Sequence, residues 1–133
     1  MKDDREFREQ VALVGVLRMA RIPFSGSLNG VHLSKAQAGK AKAAGMETGD
    51  PDLTIWAPPP AHEGRVGMAV ELKRPDLEPK TERAGEFSGA RPEQRDRLEM
   101  LRANGWHVVV AYGCNDALNK IKAAGYPLPV WKG

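Results

Sequence analysis

The chain has 133 residues, 41% hydrophobic and 28% charged, with a formal net charge of +3 and an isoelectric point near 9.2, the proportions of one ordinary globular domain. No apolar run approaches the length of a membrane span, and the single cysteine, Cys114, excludes an internal disulfide framework and points to a reducing compartment. The mild basicity permits a polyanionic partner without demanding one.

In chain order, the opening "MKDDREFREQ" is charged and lacks the apolar stretch of a secretory signal, which fits a cytoplasmic protein. Residues 3–21 read as a helix: Phe7, Val11, Val14 and Arg18 recur at helical spacing, with Leu13 and Leu17 alongside. Asp3 and Asp4 suit its N-terminal dipole, and Pro23 stops it. Residues 23–33 form a short extended piece with a turn at Asn29-Gly30. Ser34 caps a second helix over 35–44, "KAQAGKAKAA", which has little to bury and belongs on the surface. Residues 52–57 and 65–73 read as strands, separated by the loop "APPPAHEG". The polar stretch 74–92 has no periodicity and is expected to be a mobile loop. A helix over 92–104 opens on Pro92 and stops before Gly105. "WHVVVAY", residues 106–112, is a buried strand, and Asn115 is expected to cap a last helix over 116–124. The tail "YPLPVWKG" is extended and is expected to dock on the domain or on a partner. This order predicts an α/β fold with a central mixed sheet flanked by helices, in a single domain over 1–133 with its core at about 5–124 and a tail at 125–133.

Chemistry concentrates at the ends of two strands. Side chains alternate along a strand, so Glu71 and Lys73 share one face of "AVELKRP" while Leu72 anchors the other. The same alternation puts Asp52, Thr54 and Trp56 on one face of "GDPDLTIW" and Leu53 and Ile55 on the other. If the strands pair, Asp52 lies beside Glu71, and two carboxylates and a lysine converge at one edge of the sheet. Like charges at that range repel, and a hard divalent cation removes the conflict: Mg²⁺ takes one or two carboxylates and keeps several waters. The backbone carbonyl of Leu72 is a further candidate ligand. Such a cation acidifies the water it binds and neutralises charge on a phosphodiester. Lys73 would then orient the attacking water or stabilise transition-state charge. Each fragment alone has a bland reading, a solvated Glu-x-Lys edge pair or a Pro-Asp turn; their order and strand context together suit metal-assisted phosphodiester hydrolysis.

With these residues in place, the sequence resembles the virus-type replication-repair nuclease (VRR-NUC) domain of the PD-(D/E)xK nucleases. The resemblance is carried by Gly45, by Gly49-Asp50-Pro51-Asp52-Leu53 and by Val70-Glu71-Leu72-Lys73-Arg74-Pro75. It continues through Gln94, Leu98, Leu101, Gly105 and "HVVVAYG", and spans roughly residues 5–124. It looks like a small stand-alone phage or bacterial member, acting in the cytoplasm of a bacterial host or phage-infected cell. The resemblance implies a restriction-endonuclease-like fold and a Mg²⁺- or Mn²⁺-dependent DNA endonuclease. Asp52 and Glu71 would be metal ligands, Lys73 the catalytic lysine, and Gln94 a residue near the scissile phosphate or the water; Gln94 also reads as an ordinary first-turn residue. The family expects a glutamate in the first helix. Glu6 and Glu9 are both candidates, and Glu6 is preferred because it borders the apolar stripe on the side of Gln10, Leu13 and Leu17. Where relatives carry a serine three residues before Gln94, this chain has Arg91. Stand-alone relatives imply a homodimer acting on branched DNA such as four-way junctions.

Lys35, Lys40, Lys42, Arg91 and Arg95 are candidate phosphate contacts, although such charges are usually solvated surface. His32, His62 and His107 lack metal-ligand spacing with one another or with Cys114, and Cys114 reads as a strand-end residue rather than a nucleophile. Trp56 and Trp106 read first as core or interface residues. Two other classes stand beside the nuclease: a non-catalytic structure-specific DNA-binding module of the same fold, which has no need of Asp52, Glu71 and Lys73 together, and a nucleotide-binding α/β protein, for which a glycine-rich phosphate loop is missing.

Overall fold

The structure, a computed structural model, describes residues 4–27, 33–81 and 84–129. Its elements run in the expected order: α1 (Asp4–Met19), β1 (Phe24–Gly26), α2 (Lys35–Ala43), β2 (Leu53–Ile55), β3 (Met68–Lys73), α3 (Pro92–Ala103), β4 (His107–Tyr112) and α4 (Cys114–Ala123). The sheet is mixed, in the order β1-β2-β3-β4. β1 and β2, and β2 and β3, pair antiparallel, whereas β3 and β4 are parallel and joined by a connection that includes α3. The turn at Asn29-Gly30 and His32 lie outside the described residues.

Two apolar layers sandwich the sheet. On one side Leu53, Ile55, Met68, Val70 and Leu72 pack against Leu13, Val16 and Leu17 of α1 and Ala117, Leu118 and Ile121 of α4. On the other, Ala69, Val108, Val110 and Tyr112 pack against Leu98 of α3. Leu13 and Leu17 are fully buried, and each such side chain contributes about 1.5–3 kcal/mol. The alternation within β3 therefore holds: even-numbered residues face α1 and α4, odd-numbered residues face α3.

The inward side of α1 differs from the expected one. Phe7 and Val11 are exposed, while Leu13, Val16 and Leu17 are buried and Glu6, Glu9 and Gln10 are half-buried. The reason is local. The second half of α1 covers the core, but the first half overhangs the end of the sheet that carries Asp52 and Lys73, and there the inward side is polar. An apolar count thus picks the wrong stripe.

Other expectations change at element ends. β2 begins at Leu53 and not at Asp52, because the next β3 amide, Leu72 N, donates to the Asp52 carboxylate instead of to backbone. Val66 lies outside β3 and is exposed. α4 begins at Cys114, so Asn115 is its second residue and not its cap. The cap comes from another helix: Cys114 N donates to Glu9 Oε2 at 3.1 Å. The polar 74–92 segment contains a 3-10 turn, Pro75–Leu77, and buries Phe87 and Ala90 against the α3 layer. One aromatic anchor inside a polar stretch carries no periodicity to detect. α2 has no buried residue, and Ser34 Oγ accepts from Gln37 N at 3.1 Å, as its composition and cap predict. In the tail, Tyr126 is buried and its hydroxyl donates to Ala57 O at 2.6 Å. Burial pushes that phenol up to about 12.

Candidate active site

Four polar side chains are buried at one end of the sheet: Asp52 (3% exposed), Glu71 (2%), Lys73 (8%) and Gln94 (7%). Burying ionised groups this deeply is unfavourable unless each is compensated by charge or hydrogen bonds. The sequence builds that compensation from four directions.

Asp52 is fixed through both main chain and side chain. Its carbonyl accepts from Ser27 N at 2.9 Å, just past β1. Its Oδ2 accepts from Leu72 N at 2.7 Å, between Glu71 and Lys73. The register pairs Leu53 with Val70, so one further step along the two strands sets Asp52 opposite Glu71. The amide and carbonyl of a strand residue point to the same edge. Leu72 N faces Asp52, so the Leu72 carbonyl faces it too, whereas the Lys73 carbonyl accepts from Gly113 N on the β4 side.

Residues 47–51 tie Asp52 to α3. Asp50 Oδ2 accepts from Glu47 N at 3.1 Å, and Asp50 Oδ1 pairs with Arg97 Nε at 2.9 Å. Gly49 has φ +88°, and a Cβ there would stand 2.6 Å from the Glu93 carbonyl oxygen. Only glycine combines that conformation with so close an approach to the first turn of α3.

α3 in turn delivers Gln94. Its Oε1 accepts from Lys73 Nζ at 2.8 Å and from Arg91 N at 2.8 Å. Its Nε2 donates to Glu71 Oε1 at 3.0 Å. Two donors on one side and a carboxylate on the other leave the amide a single orientation. Gln94 therefore joins the lysine to the glutamate, a stronger tie than an ordinary first-turn residue makes. Arg91 contributes through its backbone amide, a contact that does not depend on its side chain, which is exposed and pairs with Glu93 at 3.3 Å.

The two candidate glutamates of α1 separate. Glu9 receives the Cys114 amide and is engaged at the start of α4. Glu6 is half-buried one turn before Gln10, and Gln10 lies against Gly26 near the Asp52 carbonyl. Residues four apart share a helix side, so Glu6 is on the side of α1 that meets Asp52. Lys35, Lys40, Lys42, Arg91 and Arg95 are all exposed.

Among the described residues, no three His, Cys, Asp or Glu side chains gather as a metal-binding group. The buried acidic donors at this end of the sheet are the carboxylates of Asp52 and Glu71, 3% and 2% exposed. Two carboxylates and a carbonyl oxygen, with water completing the shell, fit an octahedral hard cation such as Mg²⁺. They do not fit zinc, which favours nitrogen and sulfur ligands. Cys114 is buried, and its thiol is pushed up by burial and by Glu9, which disfavours the reactive thiolate.

Two features escaped the sequence reading. The rings of His62 and His107 stack with centroids 3.9 Å apart, although one is in a loop and the other on β4. Trp56 is 58% exposed and meets Trp106 edge to face at 5.6 Å, so it is not a core residue. Both pairings join residues more than forty positions apart, a distance at which sequence periodicity is silent.

The chain is similar to known proteins in sequence and fold. Among solved structures, one described as a VRR_NUC domain protein aligns with 25% identity over 94% of this chain and 91% of that one, with a TM-score of 0.60. No curated protein matches the chain. The sequence model of the VRR-NUC domain family matches residues 22–115, which is well over half of the chain and includes Asp52, Glu71, Lys73 and Gln94. The chain belongs to the VRR-NUC domain family, and its function is of the nuclease type, directed at DNA.

Proposed function

We propose that the chain is a Mg²⁺- or Mn²⁺-dependent endodeoxyribonuclease that cuts branched DNA, such as four-way junctions, as a homodimer. The observation that carries this reading is the buried Asp52–Glu71 pair with Gln94 joining Glu71 to Lys73. A protein that only binds DNA has no need to bury two carboxylates and a lysine together, and the binding-module reading loses ground for that reason.

Asp52, Glu71 and the Leu72 carbonyl would hold the cation, which when bound supplies Lewis acidity toward water and the phosphodiester. Lys73 holds an ammonium 2.8 Å from Gln94, where it can orient a water and balance charge gained by the phosphorus centre. Gln94 keeps Lys73 and Glu71 in register, and Glu6 completes the acidic side from α1. Packing at the bottom of the site excludes bulk water, which strengthens each of these interactions.

The test pairs two readouts. Calorimetric titration with Mn²⁺ should give a binding isotherm for wild type that Asp52→Asn abolishes. Lys73→Ala should keep the isotherm but lower cleavage of labelled four-way junctions by at least about 100-fold, as loss of a charge-stabilising donor does. Wild-type cleavage rates in a folded Lys73→Ala protein would overturn the assignment.

A further inference from the structure

On the α3 side of the sheet, beside the buried carboxylates, lies a groove of about 430 Å³. Pockets of about 300–1,000 Å³ commonly hold small organic ligands. α3 packs on β3 and β4, and the groove beside it runs over Thr54 and along β1, walled by Arg97 and by the two tryptophans. Asp50 and Pro51, the residues just before Asp52, form its near end.

The indoles at its far end are fixed. Trp106 lies over Gly67, where a Cβ would stand 2.4 Å from its ring. Trp56 has its edge-to-face contact with Trp106 on one side, and its Nε1 donates to Ser25 Oγ at 2.9 Å on the other. An aromatic ring that is 58% exposed yet held from two directions is a rigid platform. The neighbouring hydroxyls add polar readout: Ser25 Oγ, having accepted from the indole, retains a proton to donate, and Thr54 offers both donor and acceptor.

The position relative to the site is set by the strands. Thr54 and Ala69 pair across the ladder, and each is two residues from Asp52 or Glu71 on the same face, a separation of about 7 Å. Trp56, the stacking platform, is four residues from Asp52 on that face, about 13 Å, which is two to four nucleotides along a nucleic-acid strand, whose rise is about 3.4 Å per nucleotide in duplex and more when extended.

We propose that this groove seats one unpaired nucleobase of the DNA strand passing Asp52 and Glu71, stacked on Trp56. The inference rests on the endonuclease reading and adds a substrate feature to it. Inside a continuous duplex each base has both faces covered by its neighbours, so a platform in a groove can take only a base that is frayed, flapped or at a branch. Aromatic stacking accepts any base, which makes the groove a reader of strand structure and not of sequence.

The experiment uses a forked DNA carrying 2-aminopurine at each of its first four unpaired positions in turn, titrated with the full chain in EDTA. Wild type should change the 2-aminopurine emission at one position, and Trp56→Phe should retain the change. Trp56→Ala should lose it and bind the fork about 5- to 150-fold more weakly, while its affinity for continuous duplex stays at the wild-type value. Trp56 is largely exposed, and circular dichroism checks that each variant folds. A Trp56→Ala protein that binds the fork and alters its emission as wild type does overturns the inference. Cleavage with Mn²⁺ in parallel separates the two readings. A wild type that cuts no DNA, but shows the Trp56-dependent signal, removes the endonuclease and leaves the base pocket. A wild type that cuts the fork, with Trp56→Ala unchanged in signal and affinity, does the reverse.

Discussion

At the scale of single residues, Gln94 and His107 make opposite demands on burial. Gln94 is neutral, yet it is the hub through which a buried lysine and a buried glutamate share one hydrogen-bond chain. Gln94→Ala leaves both without that partner, and each buried polar group so deprived costs about 1–3 kcal/mol. The variant should unfold at lower denaturant by that amount, and cleavage should fall 10- to 100-fold because Lys73 loses its fixed position; chemical denaturation and single-turnover rates check the two parts. His107 stacks on His62 and has its pKa lowered from 6.5 by burial first, then by His62, Arg65 and Arg102, with Glu86 opposing. The folded chain therefore binds fewer protons here than the unfolded chain. Its contribution to stability is fully present above pH 6.5, declines as pH drops below that value, and levels off once pH passes the lowered folded pKa. Urea midpoints measured from pH 8 to pH 5 should fall with acidity, and His107→Gln should flatten the part of that slope that starts at pH 6.5. An unchanged slope would assign the acid sensitivity to other groups.

At the scale of elements, the site depends on how the 47–51 segment meets α3. Gly49 has φ +88° and touches the Glu93 carbonyl, whereas Gly64, with φ +86°, has nothing within 4 Å of where a Cβ would stand. Alanine at either position meets the same left-handed backbone, which costs about 1–3 kcal/mol. Only Gly49→Ala must also push the first turn of α3 away from the sheet, and Gln94 is on that turn. Both variants should melt earlier; Gly49→Ala should melt earliest and lose activity, while Gly64→Ala should cut as wild type does. Equal activity in the two would mean that α3 is held in place by Arg97 and Leu98 alone. Much of this architecture was legible in advance. Strand alternation put Glu71 and Lys73 on one face, and Pro92 and Gly105 bracketed α3, because these signals are local. The start of β2 was not legible, since it is set by a carboxylate taking an amide twenty residues away. Nor was the inward side of α1, where a polar half-stripe of Glu6, Glu9 and Gln10 serves the end of the sheet and defeats a search for apolar periodicity.

At the scale of the whole molecule, the same helix supplies the case for pairing. α1 lays Gln10 against Gly26 near the Asp52 carbonyl and leaves Phe7 and Val11, four residues apart on another side, 45% and 54% exposed. Among the described residues no helix is long and apolar enough to cross a membrane. A 16-residue helix is about 24 Å long. Two such helices crossing about a two-fold axis would bury Phe7 and Val11 of each copy against the other, the self-complementary contact that closed dimers use. A stable interface needs about 800 Å² per partner, near a tenth of the 8260 Å² surface of one chain. The pairing would also tie the two sites together through a shared pair of helices, a geometry suited to cutting two strands of one junction. Light scattering on eluting protein should give about twice the 14.5 kDa chain mass. Val11→Glu places a charge at the centre of that contact and, being on an exposed side, should leave the fold intact while halving the mass. On a four-way junction the monomer should release singly nicked products where wild type resolves both strands. A wild type that elutes at the mass of one chain, or a Val11→Glu protein that remains paired, would move the two-fold contact away from α1.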